Sequence, residues 1–134
     1  MCIRDSFESV DNGCANCHRS VNFYYGNEMN IGLDMDYEDE GAGNGRFRIP
    51  SLRNIGITGP FMHDGRFETL EEVVEHYNSG VQPHPYLDWR MKDANGEPKK
   101  LNLSETEKQA LVAFLHTLTD EAFITDPKWS DPFE

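Results

Sequence analysis

The residues Cys14-Ala15-Asn16-Cys17-His18 form a single Cys-x-x-Cys-His motif, and this spacing is typical of a c-type haem attachment site. Two thiols that add to the two vinyl groups of one porphyrin must lie about one helical turn apart. The next residue then lies beneath the iron, where its imidazole can serve as the proximal ligand. The motif therefore predicts one covalent haem, bonded to Cys14 and Cys17 and ligated by His18.

The same motif is also compatible with a redox thiol pair, half of a zinc site or a small disulfide. A zinc site needs two further ligands, usually from a second Cys/His pair. Cys2 is the only cysteine outside the motif, and the sequence contains no second pair. Haem attachment is therefore favoured, and a small redox or metal domain remains the alternative.

The length of 134 residues indicates one domain, and the net charge of −12 disfavours nucleic acid and anionic membrane surfaces as partners. Such an acidic chain suits a partner that presents a basic patch. The longest apolar run, residues 110–115, is much too short to span a membrane. Composition thus predicts a soluble protein with no membrane span and no nucleic-acid partner.

The first six residues lack the apolar segment of a signal peptide. Haem c is attached on the oxidising side of a membrane, so an export signal is expected. We therefore expect the chain to begin inside a longer protein. Residues 1–6, including Cys2, are treated as an unreliable or truncated N-terminus.

Two amphipathic helices are predicted. The first begins with Thr69 as N-cap and Glu72 three residues on, a capping box, and ends at Gly80 as a left-handed cap. Its apolar positions follow helical spacing: Leu70, Val73, Val74 and Tyr77. The second runs from Ser104 to about Leu118 behind another capping box, and its stripe is Leu111, Phe114, Leu115 and Leu118.

The remaining segments are predicted to be mostly irregular. Residues 7–17 form a short helix that leads into the motif, or a turn at Asn12-Gly13. Residues 19–45 and 81–100 are loop-like, and residues 121–134 form an extended C-terminal tail. This order of elements predicts an all-α, cytochrome-c-like domain with long loops over residues 7–120.

Five segments, taken in order, resemble the C-terminal half of the bacterial dihaem cytochrome c peroxidases and MauG-type enzymes. They are Cys14-Ala15-Asn16-Cys17-His18, residues 47–54 (FRIPSLRN), residues 59–65 (GPFMHDG), residues 70–74 (LEEVV) and the helix at 103–118. The resemblance covers roughly residues 7–120, and the ordered set is far more specific than the haem motif alone.

The resemblance implies a periplasmic protein with two c-type haem domains. In that family the N-terminal haem is the peroxidatic one, and the C-terminal haem relays electrons from a donor protein, such as a small cytochrome or a cupredoxin. One motif implies only the electron-handling half, with the N-terminal haem domain truncated or absent. Hydrogen peroxide reduction and MauG-type oxidation of a protein substrate both need that missing half, and a stand-alone electron-transfer cytochrome is the alternative.

Around the predicted haem, a ligating His18 should donate its other ring N–H to an acceptor, and the Pro50 carbonyl is a candidate. Pro50 is equally suited to a purely stiffening role in the loop. Arg48 and Arg53 are candidates to pair with the haem propionates, because carboxylates favour bidentate Arg, or else they are solvated.

The distal ligand decides the chemistry, since Met raises the haem potential whereas a Tyr phenolate lowers it. The candidates are Tyr77, Met62, His63, His76, Met29, Met35 and Met91. The resemblance implies a Met in the peroxidases fourteen residues after the His of the His-Asp-Gly loop. Counted from His63 this position is Tyr77, and MauG-type members carry Tyr there. We expect Tyr77 as ligand, Met62 as the alternative, and His63 as a pocket residue.

A calcium ion is the other cofactor that the resemblance implies. Thr58 and Pro60 match the family positions whose backbone carbonyls bind calcium between the two haem domains. Backbone oxygens are suitable hard ligands for this ion. Without the resemblance, Thr-x-Pro is merely a turn.

Overall fold

The computed structural model describes residues 3–8, 13–19, 22–130 and 133. Seven helices and strands lie within them: α1 (Ile3–Glu8), α2 (Cys14–Cys17), β1 (Tyr25–Met29), β2 (Phe47–Ile49), α3 (Leu70–Glu75), α4 (Glu105–His116) and α5 (Glu121–Ile124). Short 3₁₀ turns at Ile55–Ile57, Trp89–Met91 and Pro127–Trp129 interrupt the connecting loops. Among these residues, no helix has the length and apolar character that a membrane crossing requires.

The hydrophobic core lies where α1 and α3 both pack against α4. Its buried side chains are Phe7, Leu52, Leu70, Val74, Leu111, Val112 and Leu115. The inward positions of both predicted stripes supply most of them, because a helix buries its apolar face against a neighbour. Cys14 and Ala15 of α2 pack against the edge of this core, so the core holds the haem motif in place.

The capping box that was predicted at the start of α3 is confirmed. Thr69 accepts a hydrogen bond from the Glu72 backbone N–H at 3.3 Å, and Glu72 accepts from the Thr69 N–H at 2.9 Å. Each bond satisfies a backbone donor that the first helical turn leaves unpaired.

The end of α3 differs from the prediction, because Gly80 is not a left-handed cap. The helix widens into a π-helical turn over His76–Gly80 instead of stopping. Asn78 in this turn is tied to a distant segment: its backbone carbonyl accepts from the Leu101 N–H at 3.0 Å. Its side-chain oxygen accepts from the Leu103 N–H at 2.8 Å. Tertiary hydrogen bonds therefore fix the end of this helix.

The second capping box, at the start of α4, is also confirmed. Ser104 accepts from the Glu107 N–H at 3.4 Å, and Glu107 accepts from the Ser104 N–H at 2.8 Å. α4 is the longest helix and contacts both α1 and α3, so its start matters for the whole core.

We expect Ser104→Ala to lower the free energy of unfolding by about 1 kcal/mol, because an N-cap oxygen is lost. Ser104→Asn should retain most of the stability, since Asn is also a good N-cap. Thr106→Ala, at an exposed position of the same helix, is the matched control and should cost nothing. Chemical denaturation measures all three; equal losses for Ser104→Ala and Thr106→Ala would contradict the capping role.

Along the chain, a two-stranded antiparallel sheet comes between the haem motif and α3. Strand β1 pairs with β2 in the register Met29 with Phe47 and Tyr25 with Ile49, with a bulge between Tyr25 and Glu28. Sequence analysis placed β1 inside a loop, because Gly26 and Asn27 lie at the bulge and obscure any strand pattern. The sheet places Met29 beside Cys17 of the haem motif.

The segments at the two ends of the chain differ from the prediction. The helix predicted over residues 7–17 is interrupted at Gly13, which takes a left-handed φ of 73° directly before α2. The tail at 121–134 is not simply extended, since Asp120 caps α5 and a 3₁₀ turn follows. The all-α class stays a prediction, because the two-stranded sheet accompanies the helices. Cys2 and Asn12 lie outside the described residues.

Candidate haem site

The two motif cysteines lie on one turn of helix, α2. Gly13 reaches a left-handed conformation just before it, and the His18 N–H donates to the Cys14 carbonyl at 2.9 Å to close the turn. Burial raises the pKa of the Cys14 thiol from 9.0 to about 11, and burial also raises the pKa of Cys17. Both groups are therefore thiols at neutral pH, which does not suit a thiolate redox pair.

The His18 imidazole is half-buried, and its Nδ1 lies 3.1 Å from the Phe23 carbonyl oxygen. Burial lowers the pKa of His18, while hydrogen bonding to the Phe23 and Pro50 carbonyls partly opposes that shift. The ring is therefore neutral at neutral pH, with Nδ1–H directed at a backbone carbonyl. This arrangement leaves Nε2 as the ligating atom. Sequence reasoning named Pro50 as a hydrogen-bond partner and missed Phe23.

Tyr77 is half-buried, and its hydroxyl lies close enough to Cys17 and Cys14 for their charges to act on it. Burial raises the pKa of Tyr77 far above its usual value, and the proximity of Cys17 and Cys14 raises it further. The phenolate is therefore unfavourable unless a positive charge lies beside it. A ferric haem bonded to these two sulfurs would provide such a charge, so the residues present fit a c-type haem.

Met29 is the methionine that the structure brings to the motif. It is only 4% exposed, and its Sδ lies 3.8 Å from the Cys17 Sγ. Met62 is half-buried with a φ of 72° in the loop before α3, and Met91 is half-buried at the end of a 3₁₀ turn. Met35 is 59% exposed. Met29 therefore joins Tyr77 at the site, and Met35 is poorly placed for ligation.

The two histidine candidates have other partners. His76 is buried, and its Nε2 donates to the Ile31 carbonyl at 3.2 Å. His63 is exposed and stacks on the Phe47 ring, with centroids 3.7 Å apart. The expectation of His63 as a pocket residue stays a prediction, and its observed role is to cover β2.

The candidates for the propionates and for calcium all lie at the surface. Arg48 is exposed in the middle of β2, and Arg53 is exposed after it, with its backbone N–H donating to Ser51 Oγ at 3.2 Å. Thr58 and Pro60 are exposed in the loop before α3. Their roles stay predictions. Among the described residues, no group of three or more His, Cys, Asp or Glu side chains could hold a metal ion.

Arg90 is a second site residue, after Phe23, that sequence reasoning missed. Its Nη1 lies 3.9 Å from the Cys17 Sγ and 3.4 Å from the Asn16 carbonyl oxygen. Its Nε lies 3.1 Å from Asp88 Oδ1, and both side chains are only 14% exposed. Arg90 follows Cys17 by 73 residues in an irregular segment, so no local pattern could associate the two.

The chain is similar to several curated proteins and to a solved structure. It is 38% identical over 129 residues to the methylamine utilization protein MauG of Methylorubrum extorquens, covering 87% of this chain and 34% of that protein. It is 42% identical over 86 residues to the cytochrome-c peroxidase IdrP1 of Denitromonas iodatirespirans, covering 63% and 21%. The crystal structure of a MauG-like protein associated with microbial copper homeostasis matches with a TM-score of 0.78 and 34% identity, covering 98% of this chain and 50% of that one. No family model matches the chain.

These similarities agree with the geometry of the site. The chain belongs to the family of MauG and the dihaem cytochrome c peroxidases, in which it corresponds to the C-terminal region. Membership implies a c-type haem cofactor. The chain spans about a third or less of the length of the curated relatives named above.

Proposed function

We propose that this chain is a c-type haem electron-transfer domain in which Cys14 and Cys17 form the thioether bonds, His18 is the proximal ligand and Tyr77 is the distal ligand. The observation that carries the proposal is that both motif thiols lie on the single helical turn α2, followed directly by the half-buried His18 with its Nδ1 3.1 Å from the Phe23 carbonyl oxygen. A cytochrome-c-like fold is part of the same proposal. When bound, the haem supplies a one-electron ferric/ferrous couple.

The protein groups would have distinct tasks around that couple. Phe23 and Pro50 orient the His18 ring through their carbonyls, which keeps Nε2 directed at the ligand position. Tyr77 presents an oxygen that becomes an anionic ligand once a positive charge compensates its burial. Met29 fills the space against Cys17 and excludes water from it. Arg48 and Arg53 are proposed to pair with the propionates at the surface.

We further propose that the domain works with an N-terminal haem domain, as its longer relatives suggest. The whole protein would reduce hydrogen peroxide, or oxidise a protein substrate as a MauG-type enzyme, in the periplasm. Electrons would come from a small cytochrome or a cupredoxin, and Thr58 and Pro60 would offer carbonyls to calcium between the domains. Tyr77 favours the MauG-type alternative, because a peroxidase of this family is expected to have Met at that position.

Haem content is the direct test of the proposal. The chain should be produced together with haem maturation machinery and denatured before the pyridine haemochrome spectrum is recorded. A c-type spectrum with one haem per chain, retained after denaturation, supports the proposal. Protein that matures without covalent haem would instead favour a small redox or metal domain.

We expect the isolated chain to show negligible peroxidase turnover. It has one haem motif, and His18 and Tyr77 would together occupy the ligand positions that peroxide needs. Steady-state assays with hydrogen peroxide and a reduced donor cytochrome measure this directly. Free haem at equal concentration gives the background rate, and rapid saturable turnover above it would show that the distal position is open.

A further inference from the structure

The geometry points to the Asp88–Arg90 pair as the device that sets the potential of the haem, through a guanidinium held against the Cys17 sulfur. This inference rests on the proposed haem attachment. Arg90 Nη1 lies 3.9 Å from the sulfur atom that would carry the thioether bond. Arg90 would therefore be a positioned charge beside the haem edge, without being an iron ligand.

The guanidinium is fixed in place by several independent contacts. Asp88 caps the 3₁₀ turn Trp89–Met91 by accepting from the Arg90 N–H at 3.0 Å, and the same oxygen lies 3.1 Å from Arg90 Nε. Arg90 Nη1 also donates to the Asn16 carbonyl inside α2 at 3.4 Å. The Asp88 carboxylate thus contacts both the backbone N–H and the Nε of Arg90. The Nη1 of the same guanidinium bonds to α2.

The turn that carries the pair is joined to the rest of the site. The Asp88 N–H donates to the Asn30 carbonyl at 3.0 Å, and Asn30 directly follows Met29, which packs on Cys17. Asn30 itself is almost fully buried. Cys17 therefore has Met29 on one strand and Arg90 on the turn bonded to the end of that strand, so the charge cannot move far from the sulfur.

The two charges act in opposite directions on this sulfur. The Arg90 guanidinium places a positive charge 3.9 Å from the sulfur, and the Asp88 carboxylate places a negative charge 3.1 Å from Arg90 Nε. Both side chains are 14% exposed, so their fields are less screened than those of surface charges.

The same signs apply to a haem bonded to that sulfur. Ferric iron carries one more positive charge than ferrous iron, so the Arg90 guanidinium disfavours the ferric state and raises the potential. The Asp88 carboxylate favours the ferric state and lowers it. The couple would transfer one electron between the haem and a donor protein.

The experiment measures the ratio of ferrous to ferric haem at a fixed applied potential in the haem-loaded chain, with chemical mediators as the electron source. Arg90→Gln should lower the ratio about tenfold, which corresponds to about 59 mV for a one-electron couple. Asp88→Asn should raise the ratio. Arg90→Lys keeps the charge and should restore most of the wild-type ratio. Lys128→Gln removes a positive charge that lies over the Trp129 ring instead of the Cys17 sulfur and should leave the ratio unchanged.

Changes of the ferrous-to-ferric ratio in opposite directions distinguish this electrostatic role from a merely structural one. A loosened site would change the ratio in the same direction in both variants. The inference is overturned if Arg90→Gln and Asp88→Asn change the ferrous-to-ferric ratio in the same direction while covalent haem is retained. It is also overturned if neither variant changes the ratio. If Arg90→Gln does not mature, Asp88→Asn decides alone, and an unchanged ratio overturns the inference. A wild-type chain that carries no covalent haem would refute the proposed function itself, and the haemochrome assay reveals that outcome first.

Discussion

The double variant Cys14→Ala/Cys17→Ala is expected to carry no covalent haem. Each single variant should retain at most one thioether bond. The physical reason is that α2 presents the two sulfurs on a single helical turn, which matches two vinyl groups of one porphyrin. Haem staining after denaturing electrophoresis and intact mass spectrometry measure the bond directly.

Cys2→Ala is the matched control for the loss of the motif thiols, since it removes a cysteine outside the motif. It should mature with the full haem content. Ala15→Ser, inside the motif but between the thiols, should also retain the haem. The attachment site is wrong if the double Cys variant still gains the mass of one haem after denaturation, or if Cys2→Ala loses it.

Tyr77→Phe is expected to raise the haem potential and to change the ferric absorption spectrum, at little cost in stability. The substitution removes only the phenol oxygen and keeps the ring that packs near His76, whose ring centroid is 5.1 Å away. An anionic ligand stabilises ferric iron, so its loss favours the ferrous state. We expect at least about a tenfold change in the one-electron equilibrium, about 59 mV.

The raised pKa of Tyr77 provides a spectroscopic test of ligation. Burial disfavours the phenolate, so an unligated Tyr77 would stay neutral across the ordinary pH range. A phenolate-to-iron absorption band at neutral pH would therefore identify ligation. Tyr77→Met should move the site towards the high-potential form that a peroxidase of this family would have.

Met62→Leu and Met29→Leu are the matched controls for the distal ligand. Both replace the thioether with a branched aliphatic side chain of similar size, so they remove the sulfur ligand at little cost in packing. Met62 is the alternative that the sequence left open, and Met29 is the one that the structure brings to Cys17. If Tyr77→Phe changes neither spectrum nor potential while one Met variant changes both, that Met is the ligand. The domain would then be an ordinary electron-relay half of a peroxidase.

Local signals allowed the haem motif and the starts of both main helices to be predicted from the sequence. Each capping box depends on residues three positions apart, as at Ser104 and Glu107, and the motif depends on a spacing within five residues. The residues of such features lie within one turn of backbone, so their hydrogen bonds depend little on the tertiary structure. The apolar stripe likewise predicted that Leu70 and Val74 are buried.

Features decided between distant segments were not predictable in the same way. The π-helical turn at His76–Gly80 depends on hydrogen bonds from residues 101–103, and strand β1 needs β2 as its partner. Neither carries a periodic signal of its own, because the stabilising groups belong to another part of the chain.

The sequence by itself determined which residues can bond a haem: two thiols and an imidazole at one spacing. The family resemblance also predicted Tyr77 beside them, but tertiary structure decided the contacts that surround them. It brings the Tyr77 hydroxyl near the thiols, places Met29 against Cys17, and brings Arg90 to the same sulfur across 73 residues. These contacts form only when α2, β1 and the turn at Trp89–Met91 pack together, and no local propensity specifies which distant side chain lies against a given sulfur.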